Sequence, residues 1–384
     1  MTKILVAPAS YKGSVSASVL AATIGQACRD YAAVSGGALI VQEAPIADGG
    51  DDSLACLHAA LGGDLVSMEV VGPVGLPVPA AYLRLADMAV VELACASGIA
   101  YLNARTLAPL TSHTYGTGQL IAAAIAGGAR KIIITVGGSA STDGGTGALV
   151  ALGAKFLDKD GRALELGGGA LLSLAAIDLS ALHACCNGVD FTVATDVVSP
   201  LLGRQGAATV FGPQKGANAA EVAWLDQSLS RLAEVFEASC GIDASRRDLP
   251  GAGAAGGAGY GFACSLPARI VSGFHLFADL LALREKVSWC DLLIVAEGKL
   301  DEQSLSGKGV GEIIALAAAA GKGILALPAV SELDSAALAA IFGLPASARL
   351  VVAPTASLSS TGVAGLNQVA AMTKSSLSQL LAHL

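Results

Sequence analysis

The chain has 384 residues, is 53% hydrophobic and 14% charged, and carries a net charge of −8. That length and apolar content suit two domains with sizeable cores, while a negative balance without any basic cluster argues against nucleic acid as a partner. The longest apolar runs are rich in alanine and broken by Gly, Glu or Lys short of a membrane span, and residues 1–9 carry no secretory signal, so a cytoplasmic protein that engages no membrane is expected. The eight cysteines show no CxxC pair and the five histidines are isolated, which reads as reduced core thiols without a zinc site.

In chain order, residues 3–8 read as a first strand, and Ser10-Tyr11-Lys12-Gly13-Ser14 as the turn that leads into a helix over about 16–29. A lysine, hydroxyls and a glycine at a strand-to-helix turn suit an anion; equally, Lys12 is a solvated lysine and Ser14 or Ser16 a helix cap. Residues 38–43 form the next strand, followed by Asp48-Gly49-Gly50 and a helix over about 52–61. Residues 64–82 are β-rich and punctuated by Pro and Gly, which places a domain boundary near Gly62. Another strand covers 90–93, closed by Ser97-Gly98, and a hydroxyl-rich loop, 109–118, containing a structural or incidental His113, precedes a helix over 119–126.

Residues 131–136 read as a buried parallel strand. It runs into Gly137-Gly138, the hydroxyls Ser139 and Ser141, then Asp143 against Gly144-Gly145, and a helix. The Asp-Gly-Gly-helix device thus occurs twice, at 47–50 and 142–145. In each copy glycine lets backbone approach a ligand and the aspartate is able to bind a hard cation or accept a proton; the plainer alternative is an Asp cap beside a glycine turn. Residues 191–195 form a strand ending at Asp196, where open α/β sheets place their chemistry. Lys215 lies in the loop Phe211–Gly216 ahead of a long helix over about 219–239.

The run 251–261 contains a literal GxGxxG, but the polar, proline-terminated stretch before it is no strand, so a dinucleotide site is disfavoured against a glycine loop entering a tightly packed helix. Residues 290–296 form a buried strand, followed by Glu297-Gly298-Lys299-Leu300-Asp301 and then Lys308, the densest charge cluster in the chain. Strands at 322–327 and 349–353 and a helix from about 365 complete it. The fold expected is α/β with two domains: a discontinuous Rossmann/flavodoxin-like parallel-sheet domain, 1–62 plus 288–384, and an inserted mixed α/β domain, 63–287.

No P-loop, protein-kinase or GxSxG signature occurs. What remains is a set of glycine turns at strand ends bearing Asp48, Asp143, Asp196, Glu297 and Asp301 with Lys12, Lys215, Lys299 and Lys308. Phosphoryl transfer asks for such an inventory: carboxylates for Mg²⁺, cations and amides for phosphates, and a base for the accepting hydroxyl.

Pro8-x-Ser10-Tyr11-Lys12-Gly13-Ser14, Ala47-Asp48-Gly49-Gly50, Tyr115-Gly116-Thr117-Gly118, Gly137-Gly138-Ser139-Ala140, Asp143-Gly144-Gly145, Phe211-Gly212-Pro213-Gln214-Lys215-Gly216, Gly251-Ala252-Gly253-Ala254-Ala255-Gly256-Gly257 and Glu297-Gly298-Lys299-Leu300-Asp301 resemble, in order and over nearly the full length, the successive motifs of the type I glycerate kinase family. The resemblance implies ATP- and Mg²⁺-dependent phosphorylation of D-glycerate to 2-phosphoglycerate, on two α/β domains enclosing a cleft. With it we expect Asp143, Asp196 and Lys12 as catalytic residues. Ser10, Asp48, Gly49, Gly50, Gly138, Ser139, Ser141, Lys215, Glu297, Asp301 and Lys308 are expected on substrate or phosphate, and Asp48, Asp196 and Glu297 on the metal. The chain departs from the family pattern at Ala9, Asp51-Asp52, Thr142, Ser199, Lys299 and Val310. Those departures leave open a kinase of another small hydroxy or sugar acid, or a binding homologue impaired in catalysis.

Overall fold

The protein is described from a computed structural model, which covers residues 1–11, 14–46, 49–50, 52–302, 304, 309–344, 349–355 and 363–381. Its strands are β1 (Thr2–Val6), β2 (Leu39–Glu43), β3 (Asp64–Val71), β4 (Pro77–Leu85), β5 (Met88–Glu92), β6 (Lys131–Thr135), β7 (Lys155–Leu157), β8 (Ala176–Asp178), β9 (Asp190–Ala194), β10 (Ala268–Val271), β11 (Leu292–Leu300), β12 (Gly323–Ser331) and β13 (Leu350–Val352). The chain forms two compact units: residues 1–48, 55–61 and 274–384, and residues 49–54 and 62–273. No described helix is long and apolar enough to cross a membrane.

The first unit carries a parallel sheet in the order β13-β12-β11-β1-β2. Ile4, Val6, Ile294, Leu325 and Leu327 pack in one core with Leu20, Ile24 and Cys28 of the helix Ala17–Ser35 and Val369 and Leu377 of the helix Val363–Leu381. Ser16 caps the first helix, its Oγ accepting from the Val19 N–H. The chain winds from β1 outward to β2 on one side and from β11 to β12 and β13 on the other. The strand order therefore reverses between β1 and β11, the position at which open α/β sheets leave a crevice at the carboxyl ends of their strands.

The second unit carries a mixed sheet in the order β10-β9-β6-β5-β4-β3, with β3 and β4 an antiparallel hairpin and β5, β6, β9 and β10 parallel. The register aligns Glu92 with Thr135, Thr135 with Ala194 and Ala194 with Val271. The parallel strands therefore end on one edge. The helix Ala219–Cys240 starts from a capping box, Asn218 with Glu221, and buries Leu225, Leu229, Leu232 and Phe236 in this unit's core.

Two elements differ from their sequence reading. Tyr115–Gly118, read as loop, forms the first turn of the helix Tyr115–Ala126. The glycines that suggest a turn serve close packing instead: a Cβ on Gly116 would lie 3.1 Å from Val70 Cγ2 and one on Gly118 would lie 2.7 Å from Ala151 Cβ. Likewise β11 does not stop at Ala296 but continues through Glu297–Leu300, because β12 runs on beside it and pairs Lys299 with Val330 and Leu300 with Ser331. Ladder hydrogen bonds outweigh the poor strand propensity of Glu, Gly and Lys there. As read, the glycine run at 251–261 is a packing device. The backbone is left-handed at Ala255, Gly256 and Gly257, and a Cβ on Gly256 would lie 2.5 Å from Thr142 Cα.

Candidate functional site

In the second unit the chemistry lies along the edge where β5, β6 and β9 end. After Thr135 the chain turns at Gly137 and Gly138, the latter at φ +66°. A Cβ on Gly137 would lie 2.6 Å from Gly50 Cα, and the Gly137 N–H donates to the Gly49 carbonyl at 3.1 Å. Gly49 itself, at φ +85°, would bring a Cβ within 2.7 Å of the Ala194 carbonyl. The two glycine turns singled out in the sequence are thus held backbone to backbone over the end of β9. Ser53 fastens the first of them: its Oγ accepts from Gly49 N–H at 3.1 Å and donates to the Gly50 carbonyl at 2.8 Å.

Asp143 is fully buried. Its Oδ2 accepts from Thr114 N–H (2.9 Å), Thr114 Oγ1 (2.8 Å) and Gly147 N–H (3.1 Å), and its Oδ1 from Gly145 N–H (3.1 Å). Four donors meet a carboxylate without solvent access, and through them it ties the 143–147 turn to Thr114. The glycines beside it allow this closure: Gly144 and Gly145 sit at φ +62° and +75°, and Gly145 packs 3.1 Å from Ala258 Cα when given a Cβ.

Lys215 lies on the short helical turn Pro213–Lys215, closed by Gly216 at φ +94°. The side chain is 3% exposed, and its Nζ donates to Ser139 Oγ at 2.8 Å and to the Ser141 carbonyl. Burial pulls the ammonium down to about 7, with Asp143 pulling in the opposite direction. Ser139, Ser141, Asp143 and Lys215 are therefore brought together as one polar cluster. Ser141 Oγ and Thr142 Oγ1 are buried and take no hydrogen bond among the described residues. Asp196 follows the end of β9, half-buried, and accepts from Ser272 Oγ at 2.7 Å.

The first unit holds the other group. The backbone beyond β1 stays beside β11, with Ala7 N–H donating to the Ile294 carbonyl and Ala9 N–H to the Ala296 carbonyl, both at 2.8 Å. Ser10 and Glu297 are the residues that follow these paired positions. Burial pushes the Glu297 carboxyl up to about 7; a hydrogen bond with Ser304 opposes this and Asp301 adds to it. Glu297 Oε1 is buried without a hydrogen-bond partner among the described residues. Asp301 lies beside Lys299, which bridges it at 3.0 Å to Glu332 at 2.8 Å. Lys12, Asp48 and Lys308 lie outside the described residues.

Three residues escaped the sequence reading as parts of this arrangement. Glu92 is buried at the end of β5 and its Oε2 accepts from Leu54 N–H at 2.8 Å, anchoring the 49–54 segment. A lone carboxylate closing an apolar strand was the available signal. Thr114 bridges Asp143 and Ala148 N–H (2.9 Å). His113, read as structural or incidental, is buried, and its Nδ1 accepts from Tyr115 N–H at 3.4 Å. Burial holds its imidazole below the usual range, and nearby Asp143 acts in the opposite sense. Among the described residues no group of three or more His, Cys, Asp or Glu side chains is gathered to hold a metal ion.

Comparison with known proteins follows the same lines. The model of the glycerate kinase family matches residues 4–374. The glycerate 2-kinase of Escherichia coli K12 is 41% identical over 314 residues, 80% of this chain and 79% of that protein. The glycerate kinase of Bacillus subtilis 168 is 41% identical over 308 residues, again 80% and 79%. A crystal structure described as glycerate kinase 2 from Salmonella typhimurium LT2 superposes with a TM-score of 0.83 at 33% identity, covering 100% of this chain and 98% of that one.

Proposed function

Because the chain belongs to the glycerate kinase family, and is therefore a nucleotide-using phosphotransferase acting on an alcohol group, we propose that it transfers the γ-phosphoryl group of ATP to the 2-hydroxyl of D-glycerate. The observation that carries this reading is the register of the second unit's sheet, in which Thr135 and Ala194 pair. The hydroxyl-rich turn 137–145 and Asp196 then follow neighbouring strands on the same edge, an acid-holding turn beside a carboxylate.

Asp196 is the base in this reading. It is half-buried rather than enclosed, and it receives the proton of the accepting hydroxyl. That hydroxyl's oxygen bonds to the γ-phosphorus, and the bond to the β,γ-bridging oxygen breaks to release ADP. Asp143 holds the turn, Gly138 and Ser139 meet the acid or the transferring phosphoryl group, and Gly49 and Gly50 let backbone approach. In the first unit Ser10 and Asp301 belong to the nucleotide side, with Lys12, Asp48 and Lys308 keeping the roles the family resemblance implies.

Glu297 fits a hard divalent cation, because among the described residues its buried Oε1 takes no hydrogen bond and a carboxylate oxygen is the donor Mg²⁺ prefers; a cation held there would offset phosphate charge during the transfer. Purified protein given ATP, Mg²⁺ and D-glycerate is expected to release ADP and to form a product that enolase consumes without a mutase. No turnover beside an active relative, a product that requires the mutase, or a higher kcat/KM for another hydroxy acid each overturns the assignment.

A further inference from the structure

We propose that Lys215 is not a phosphate contact but a positioning residue, whose ammonium, buried behind the 137–141 turn, fixes the Ser139 hydroxyl and the Ser141 carbonyl so that Ser139 presents its oxygen to the reacting molecules. The proposal rests on the reading that this turn meets the acid or the phosphoryl group.

A lysine that binds phosphate directly keeps its head in the solvent-filled site. Lys215 is instead 3% exposed, less than the 7% of Ser139, the residue it grips. Two of its three donor positions are committed within the protein, to Ser139 Oγ at 2.8 Å and to the Ser141 carbonyl. Ser139 Oγ in turn lies 3.4 Å from that same carbonyl, so lysine, hydroxyl and carbonyl form one closed polar triangle. The backbone enforces the inward aim. Gly216 adopts φ +94°, and a Cβ there would lie 2.9 Å from Leu107 Cβ, so only glycine closes the turn that buries the lysine.

The remaining charge nearby is Asp143, whose oxygens are occupied by Thr114, Gly145 and Gly147. In its protonated form Lys215 therefore carries a charge that no carboxylate meets by direct hydrogen bonding among these contacts. Its field falls on Ser139. A hydroxyl accepting from an ammonium polarises its own O–H and becomes a stronger donor, and the long 3.4 Å bond from Ser139 to the Ser141 carbonyl is the one given up for a negatively charged oxygen of the reacting molecules. Lys215 thus acts on the transition state through Ser139 without touching it.

A double-mutant cycle on the full-length protein tests this. Lys215→Met and Ser139→Ala are each expected to lower kcat about tenfold or more, the worth of one charge-assisted hydrogen bond, with KM for D-glycerate and ATP moved less than about twofold. The double variant is expected to fall no further than the worse single one. If Lys215→Met does not fold, Lys215→Gln enters the same cycle with the same expected non-additivity. Additive losses with a raised KM assign Lys215 to direct ligand contact and overturn the proposal. So does an unchanged kcat accompanied by a lowered Tm, which is the mark of a purely structural lysine. Silent Ser139→Ala beside a damaged Lys215 variant overturns the action through Ser139 while leaving the turn's role intact; silence of both singles overturns the reading of the turn itself.

Discussion

Asp143 in one unit is a buried carboxylate and Glu297 in the other a half-buried one, each at the carboxyl edge of a sheet, and they have opposite surroundings. Asp143 is met by three backbone N–H groups and a hydroxyl, whereas one oxygen of Glu297 is buried with no donor among the described residues. Both lose hydration on burial, but Asp143 regains four hydrogen bonds from the protein while Ser304 is the hydrogen-bonding side chain that lowers the pKa of Glu297. Donor supply separates a carboxylate that builds the site from one left available for a cation or a proton.

The largest effect that sharpens this contrast is on stability. Asp143→Ala leaves buried donors without an acceptor and is expected to cost about 3–5 kcal/mol in denaturant unfolding, whereas Glu297→Gln is expected to leave the fold intact. A stable Asp143→Ala protein breaks the comparison. Asp196, half-buried and bonded to Ser272, is expected to behave differently from both. In Asp196→Asn, kcat falls by about 10²–10⁴-fold with Tm held, and a parallel fall in Tm removes it from the role of base.

Lys215 carries the pH dependence. Its folded value of about 7 lies below the ordinary 10.5, so between these values the unfolded chain binds the extra proton. Stability attributable to this group therefore rises as pH rises from about 7 towards 10.5, by roughly 2–4 kcal/mol. Unfolding measured across that window should show the slope in the wild type and lose it in Lys215→Met. The smallest effect concerns the cation: Glu297→Gln is expected to raise the Mg²⁺ concentration needed for half-maximal activity by about tenfold, near 1.4 kcal/mol. The Mg²⁺ affinity measured by calorimetry in the presence of ATP should shift with it, and an unchanged Mg²⁺ requirement takes Glu297 off the metal.

How much of this was legible beforehand differs from residue to residue. Lys215 was picked out because a lone lysine in a Phe-Gly-Pro-Gln-Lys-Gly loop is conspicuous, but whether its head points to solvent or inward depends on Leu107 and Ser139, distant in sequence. Asp143 was visible as an Asp-Gly-Gly motif, while the donors that enclose it come partly from Thr114, 29 residues earlier. Glu92 was passed over although it is a lone carboxylate closing an apolar strand, because that signal names no partner until Leu54 is known to sit against it.

By itself the sequence determined the alternation of apolar strands and helices, the glycine turns at strand ends and the ordered motifs that resemble one kinase family, because these depend on hydrophobic period, backbone freedom and local composition. Only the tertiary structure decided that β11 runs on through its charged end, that Tyr115–Gly118 is helical, and which of several buried carboxylates and lysines is saturated. Those outcomes are set by partners far along the chain, whose hydrogen bonds and close packing override local propensity.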